Sequence, residues 1–265
     1  MPPMHLEVIS RLSASTSRPT PLLFVHGASH AAWCWDEHFL PYFAEHGYSA
    51  YALSLRGHGD SEGRERLRWW RIRDYVADVR QVAESLPAPP VVIGHSMGGF
   101  IVQKYLERYN APGGVLVASA PVFGMFPLDW RLLMQHPLLF LRVNAAMYVK
   151  PMFNTRARTR ALLYSALTPH ETVERTFARV QNESYAALLD MTLFDLPRPR
   201  KVHSPLLVLG GTEDGFFTPR DTRITARAYG TEAVLVLDTG HNLMLEPSWQ
   251  TTADHILSWL AERGL

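Results

Sequence analysis

Three polar residues stand where they could act as one catalytic unit. Ser96 lies in Gly94-His95-Ser96-Met97-Gly98, directly after the apolar run Val91-Val92-Ile93 and directly before a helical pattern. Asp214 follows the run Leu206 to Leu209 through Gly210-Gly211-Thr212-Glu213, and His241 follows the run Glu232 to Leu237 through Asp238-Thr239-Gly240. A serine hydroxyl is a weak nucleophile until a base takes its proton. A neutral imidazole can do so near pH 7, and a carboxylate can hold that imidazole in the right tautomer. Strand, Gly-x-Ser-x-Gly and helix is the layout of a nucleophile elbow, and the order Ser, Asp, His along the chain is the order expected with it. The five-residue pattern is short, so its weight comes from the two later sites. Glu213 is the alternative acid; Asp214 is favoured because one more residue carries it away from the strand.

Such a nucleophile needs donors for the oxyanion of a tetrahedral intermediate. Met97 N–H, beside Ser96, is one. The other is expected from His26-Gly27-Ala28, after Leu22-Leu23-Phe24-Val25, with Gly27 permitting an unusual turn and Ala28 leaving room for substrate. His26 is expected to brace this loop and His30 to reach the pocket. His58, in Arg56-Gly57-His58-Gly59, reads mainly as part of a closed loop, with a second base as the alternative. His95 is expected to point into the core, and Trp33 and Trp35 to be scaffold or pocket wall. No His-Glu-x-x-His, Cys-x-x-Cys, Gly-x-Gly-x-x-Gly or Walker pattern is present, so the chemistry reads as free of metal and cofactor.

Elements that could position these residues alternate. Leu6 to Leu12 reads as an edge strand, Leu22 to Val25 as a buried strand, Ala31 to His46 as a helix, Ser49 to Leu55 as a strand and Ile72 to Leu86 as a helix. The elbow strand, a helix over Met97 to Tyr109 and a strand over Gly114 to Ala120 follow. This rhythm predicts a doubly wound, mostly parallel sheet. From Pro121 to His203 only helical periods occur, rich in aromatic residues, Met and Arg. The strand rhythm then resumes, with a helix over Pro219 to Tyr229 and a closing helix over Pro247 to Arg263. The expected division is a core over 1–120 and 204–265 with a helical insertion over 121–203.

The totals fit this reading. The 265 residues are 47% hydrophobic and 19% charged, with formal net charge +1, which gives no case for nucleic acid as partner. The single cysteine, Cys34, excludes an internal disulfide and is expected to pack as a small apolar side chain. Met1-Pro2-Pro3-Met4-His5 has no secretory character, and no apolar run approaches a membrane span. A cytoplasmic protein, monomer or homodimer, is the expectation.

These motifs together resemble the α/β-hydrolase fold superfamily. The matching pieces are His26-Gly27, Arg56-Gly57-His58-Gly59-Asp60-Ser61, Gly94 to Gly99, Gly211-Thr212-Glu213-Asp214 and Gly240-His241, spread over nearly the whole core. Val25 to Trp33 is similar to the oxyanion loop of the plant esterase and hydroxynitrile lyase branch. The Arg-Gly-His-Gly loop is similar to that of bacterial esterases and lysophospholipase or monoacylglycerol-lipase-like members. Ser54 stands where the family commonly has Asp, a change expected to be neutral. The resemblance implies that 121–203 is a cap shaping substrate choice. Ser96, where dehalogenases and epoxide hydrolases of this fold use Asp, implies a serine esterase or lipase-like branch acting on a small-molecule ester. Phe123, Met125, Trp130 and His30 are the expected substrate-contacting residues, and the arginines of the insertion could steer an anionic substrate. A ligand-sensing receptor on the same scaffold, a C–C bond hydrolase and a cofactor-free lyase are the alternatives.

Overall fold

The computed structural model describes residues 4–13 and 18–265, and for Lys150 the backbone alone. Met1-Pro2-Pro3 and residues 14–17 of the polar stretch before Leu22 lie outside the described residues. Among the described residues seven strands form one sheet: β1 Val8–Arg11, β2 Leu22–Val25, β3 Ala50–Leu53, β4 Val91–His95, β5 Gly114–Val117, β6 Leu206–Gly211 and β7 Ala233–Val236. Their spatial order is β1-β3-β2-β4-β5-β6-β7. Only β1 is antiparallel, pairing Val8 with Leu53 at the edge. The sheet is the mostly parallel, doubly wound one expected from the alternating pattern.

Period-two side-chain alternation explains why the inner strands are apolar throughout. Leu22 and Phe24 of β2 join one core, with Val91 and Ile93 of β4 and Val115 and Val117 of β5. Leu23 and Val25 join the other, with Val92 and Leu116. Helices α1 Trp33–Asp36, α2 Phe39–Glu45, α3 Ile72–Ser85 and α4 Met97–Leu106 flank the first four strands in sequence order. The single helix expected over Ala31 to His46 is thus two. Pro41 explains the break: it has no N–H to give Glu37, and its ring clashes with a helical carbonyl four residues back.

Between β5 and β6 come α5 Phe126–Gln135, α6 Pro137–Ala146, α7 Arg156–Leu163, α8 His170–Arg179 and α9 Tyr185–Leu189, with no strand among the described residues. Asp190 of this helical segment, almost fully buried, accepts from Arg71 Nε at 2.8 Å and from the N–H of Ile72 at the start of α3 at 3.1 Å. Helix α10 Pro219–Ala228 joins β6 to β7, and α11 Trp249–Glu262 closes the chain. Pro247 precedes α11 rather than opening it. No helix among the described residues is long and apolar enough to cross a membrane.

The sheet's winding reverses between β2 and β4, since β3 is added on one side of β2 and β4 on the other. Ligands of open α/β sheets sit at the carboxyl ends of strands at such a switch point. The loop 26–30 and Ser96 both emerge there.

Candidate active site

Ser96 takes φ +53 and ψ −116, a conformation L-residues rarely adopt. Its N–H donates to Val117 O at 3.0 Å, and its carbonyl accepts from Phe100 N at 3.2 Å and Ala120 N at 3.0 Å, so the turn is held from both sides. The two flanking glycines are required by space. A Cβ on Gly94 would lie 2.3 Å from Gly98 O, and one on Gly98 would lie 2.3 Å from Val25 O. The same argument replaces the reading of Gly27. Its φ is not positive; instead a Cβ there would lie 2.6 Å from His95 Nδ1 and 2.9 Å from Ser96 Cβ.

His241 and Asp214 meet across the ends of β7 and β6. His241 Nδ1 donates to Asp214 Oδ2 at 2.8 Å, with both side chains almost fully buried. Asp214 Oδ1 accepts from Phe216 N at 2.7 Å and Phe217 N at 3.0 Å, which fixes the carboxylate within its own turn. Glu213 is exposed and, among the described residues, accepts only from Ala166 N at 3.4 Å. Gly211 allows the two loops to close up: a Cβ there would lie 2.2 Å from Thr239 O. In a neutral imidazole, a proton on Nδ1 directed at Asp214 leaves the lone pair on Nε2. The Ser96 hydroxyl has no hydrogen-bond partner among the described residues, and both Ser96 and His241 line one cavity.

The neighbouring histidines have tautomers set by their partners. His26 Nε2 accepts from Leu55 N at 3.0 Å, so Nδ1 donates to Gly27 O at 2.8 Å. His30 Nδ1 bonds Ala28 O at 2.9 Å, and its Nε2 faces the Asn242 side-chain amide at 3.2 Å. His95 Nε2 donates to His241 O at 3.0 Å. Burial holds all three neutral, with His26 lowered to about 3, His30 to about 4 and His95 well below its ordinary value. His26 is a brace, and His95 sits buried beneath His241 while still touching the cavity.

Ala28 and Met97 both line the cavity beside Ser96. No acceptor among the described residues meets the Ala28 N–H. Met97 is the first residue of α4, where the helix itself offers its N–H no acceptor.

The cavity has a volume of about 300 Å³ and is walled mainly by apolar side chains of the helical segment and of Phe216 and Phe217. Met125 and His30 line it; Phe123 and Trp130 do not. Met125, Phe126, Leu128, Asp129 and Leu132 line it from the start of α5, whereas Trp130, one turn beyond Phe126, lies outside it and is 55% exposed. Phe123 lines a separate hollow of about 50 Å³. No arginine among the described residues lines the cavity. Arg131 is spent on the carbonyls of Gly215 and Phe216, and Arg156 and Arg175 on Glu174 and Glu37, so these cations do not reach a substrate in it.

Glu183 and Glu246, buried carboxylates bonded to the loops that carry the site, escaped the sequence reading. Glu246 accepts from Gly240 N at 2.9 Å and Ser165 N at 2.6 Å, tying the His241 loop to the end of α7. Glu183 accepts from Ser29 N and His58 Nε2, both at 3.0 Å. Each looks like an ordinary surface glutamate in sequence; only the folding together of distant segments distinguishes them. Ser54 is likewise not idle, since its hydroxyl bonds Glu7 and the N–H of Ala32. No group of three or more His, Cys, Asp or Glu side chains among the described residues could hold a metal ion.

The sequence profile of the alpha/beta hydrolase family matches residues 22–254. The chain belongs to this family. It is 26% identical over 267 aligned positions to a monoacylglycerol lipase of Mycolicibacterium smegmatis, covering 90% of this chain and 87% of that one. It is 38% identical over 106 residues to a non-heme chloroperoxidase of Streptomyces lividans, spanning only 38% of this chain and 37% of that protein's length. Among solved structures, a bromoperoxidase from Bacillus anthracis superposes with a TM-score of 0.74 at 16% identity, covering 98% of this chain and 96% of that one, which shows the shared fold.

Proposed function

We propose that this family member is a carboxylic ester hydrolase working through an acyl-enzyme on Ser96. One observation carries the reading: His241, bonded to Asp214 at 2.8 Å, lines the same apolar cavity as the strained Ser96. Ser96 Oγ attacks the ester carbonyl and its proton passes to His241 Nε2. The imidazolium so formed is stabilised by Asp214 and gives its proton to the departing alcohol. Water then attacks the acyl-enzyme, losing a proton to His241; the bond to Ser96 Oγ breaks, His241 returns the proton to that oxygen, and the acid leaves. The N–H groups of Ala28 and Met97 hold the carbonyl oxygen while it is negative.

The cavity wall supports an apolar acyl or aromatic group as the part of the substrate held there, with residues 121–203 acting as the cap. The similarity to a monoacylglycerol lipase over 90% of this chain supports an ester of this kind. The test is a panel of p-nitrophenyl esters of increasing acyl length together with monoacylglycerols, run beside labelling by a fluorophosphonate. Turnover of acyl esters with label on Ser96 is expected. A purified chain that turns over none of them and takes up no label contradicts the proposal, and tight ligand binding without turnover favours a receptor instead.

A further inference from the structure

The loop after β2 is gripped by the helical segment. Ser29, next to Ala28, takes φ +65, a conformation that needs external support in a non-glycine residue. Its N–H donates to Glu183 Oε2 at 3.0 Å. Its carbonyl accepts from Gln181 N at 3.0 Å, and the Gln181 side chain donates to His30 O at 2.8 Å. All three contacts come from residues 181–183, between α8 and α9. The peptide joining Ala28 to Ser29 is therefore held at both ends: its carbonyl by His30 Nδ1 at 2.9 Å, its N–H by Glu183.

Glu183 itself is fully buried. Oε2 is shared by Ser29 N–H and His58 Nε2, and Oε1 accepts from Tyr75 OH at 2.9 Å and Ser184 N at 2.7 Å. A buried carboxylate is costly unless its lone pairs are met, and here four donors meet them. Burial alone would raise the Glu183 carboxyl, but the charge and hydrogen bond of His58 pull it below its ordinary value. Burial alone would lower His58, and Glu183 raises it instead. The result is a buried Glu183–His58 pair beneath the loop, joined at 3.0 Å, with its carboxylate supplied by the helical segment.

We infer that Glu183 is a positioning residue for the oxyanion loop, fixing the Ala28–Ser29 peptide and so the direction of the Ala28 N–H, which makes the helical segment a contributor to transition-state geometry. This rests on Ser96 being the nucleophile. A peptide plane freed at its N–H end lets the neighbouring planes rotate, and an oxyanion donor loses most of its effect when misdirected.

The test compares Glu183→Gln with the parent in ester hydrolysis, in affinity for a trifluoromethyl ketone that forms a tetrahedral adduct, in affinity for the product acid, and in hydrogen exchange of residues 26–30. Gln keeps the size but turns an N–H₂ toward donors. The expected result is a kcat lower by roughly 10- to 100-fold with KM changed by less than about threefold. The ketone affinity falls in step with kcat, product-acid affinity holds, and exchange in 26–30 rises. Tyr75→Phe removes a donor from the far oxygen of the same carboxylate; it is expected to lower thermal stability and leave kcat within about twofold. Should Glu183→Gln fail to fold, Glu183→Asp keeps the charge with a shorter reach and must show the same split between kcat and KM. Parental kcat and ketone affinity in a folded Glu183 variant overturn the inference, as does a kcat loss in Tyr75→Phe equal to that in the Glu183 variant. An inactive, unlabelled parent would sink the reading of Ser96, whereas unchanged exchange in the variant would sink the role of Glu183 on its own.

Discussion

His241 Nδ1 and Asp214 Oδ2 lie 2.8 Å apart, while Glu213, one residue earlier, turns away to the amide of Ala166. The two acids differ because Asp214 is short enough to accept its own turn's N–H groups and still reach the ring. Asp214→Asn should lower kcat on the order of ten-thousand-fold, because the amide favours the wrong tautomer of His241. Glu213→Gln should stay within about threefold of the parent. Steady-state kinetics on one good ester decides it, and a larger loss in Glu213→Gln would contradict the assignment.

The elbow's glycines are demanded by backbone contact. Gly94→Ala forces a methyl within 2.3 Å of Gly98 O, an atom that cannot swing aside. A loss of about 3 kcal/mol or more in denaturant unfolding is expected, with activity falling alongside. A variant as stable as the parent would show that the elbow can open.

Acid should destabilise the fold through its buried rings. The unfolded chain protonates His26, His30 and His95 as pH falls below about 6.5, whereas the folded chain resists until about 3 for His26 and about 4 for His30. Burial is the largest cause in each. The unfolded state therefore binds more protons in this window, and stability should fall by up to roughly 1.4 kcal/mol per pH unit for each ring between pH 6.5 and 4. The raised His58 acts on the other side: its contribution is complete below its unfolded value and is lost as pH rises through its folded one. Urea titrations across pH 4.5 to 8 test this, and a stability that is flat or higher at the acid end would refute it.

Asp129 is a carboxyl in a mostly apolar wall. Burial raises its pKa, partly offset by the Thr192 hydroxyl at 2.8 Å. Asp129→Leu should raise kcat/KM for the longest straight-chain ester accepted by about three- to tenfold. Trp130→Ala, at an exposed position outside the cavity, should stay within about twofold. Reversed effects would place the acyl group elsewhere.

Much of the fold was readable because apolar runs with turn signals mark every inner strand, and a parallel sheet buried on both faces leaves few other ways to place them. The ends of β2, β4, β6 and β7 were readable for the same reason, which is why the proposed site residues Ser96, Asp214 and His241 could be placed at strand ends from the sequence. The division of Ala31 to His46 at Pro41 was present in the sequence and overridden by the longer pattern. Phe123 and Trp130 were chosen by residue type; the phase of α5, which decides what faces the cavity, starts from a boundary that composition does not fix. Glu183 and Glu246 were beyond reach, since each gains its meaning from contacts across many tens of residues, as the 154 positions between Ser29 and Glu183 illustrate.

The most direct test of the whole account is mass spectrometry of the chain quenched during turnover of a p-nitrophenyl ester, beside the Ser96→Ala variant. One acyl group on Ser96 in the parent, and neither adduct nor turnover in a folded Ser96→Ala, is the predicted result. Undiminished turnover in that variant, or an adduct on any other residue, would contradict it.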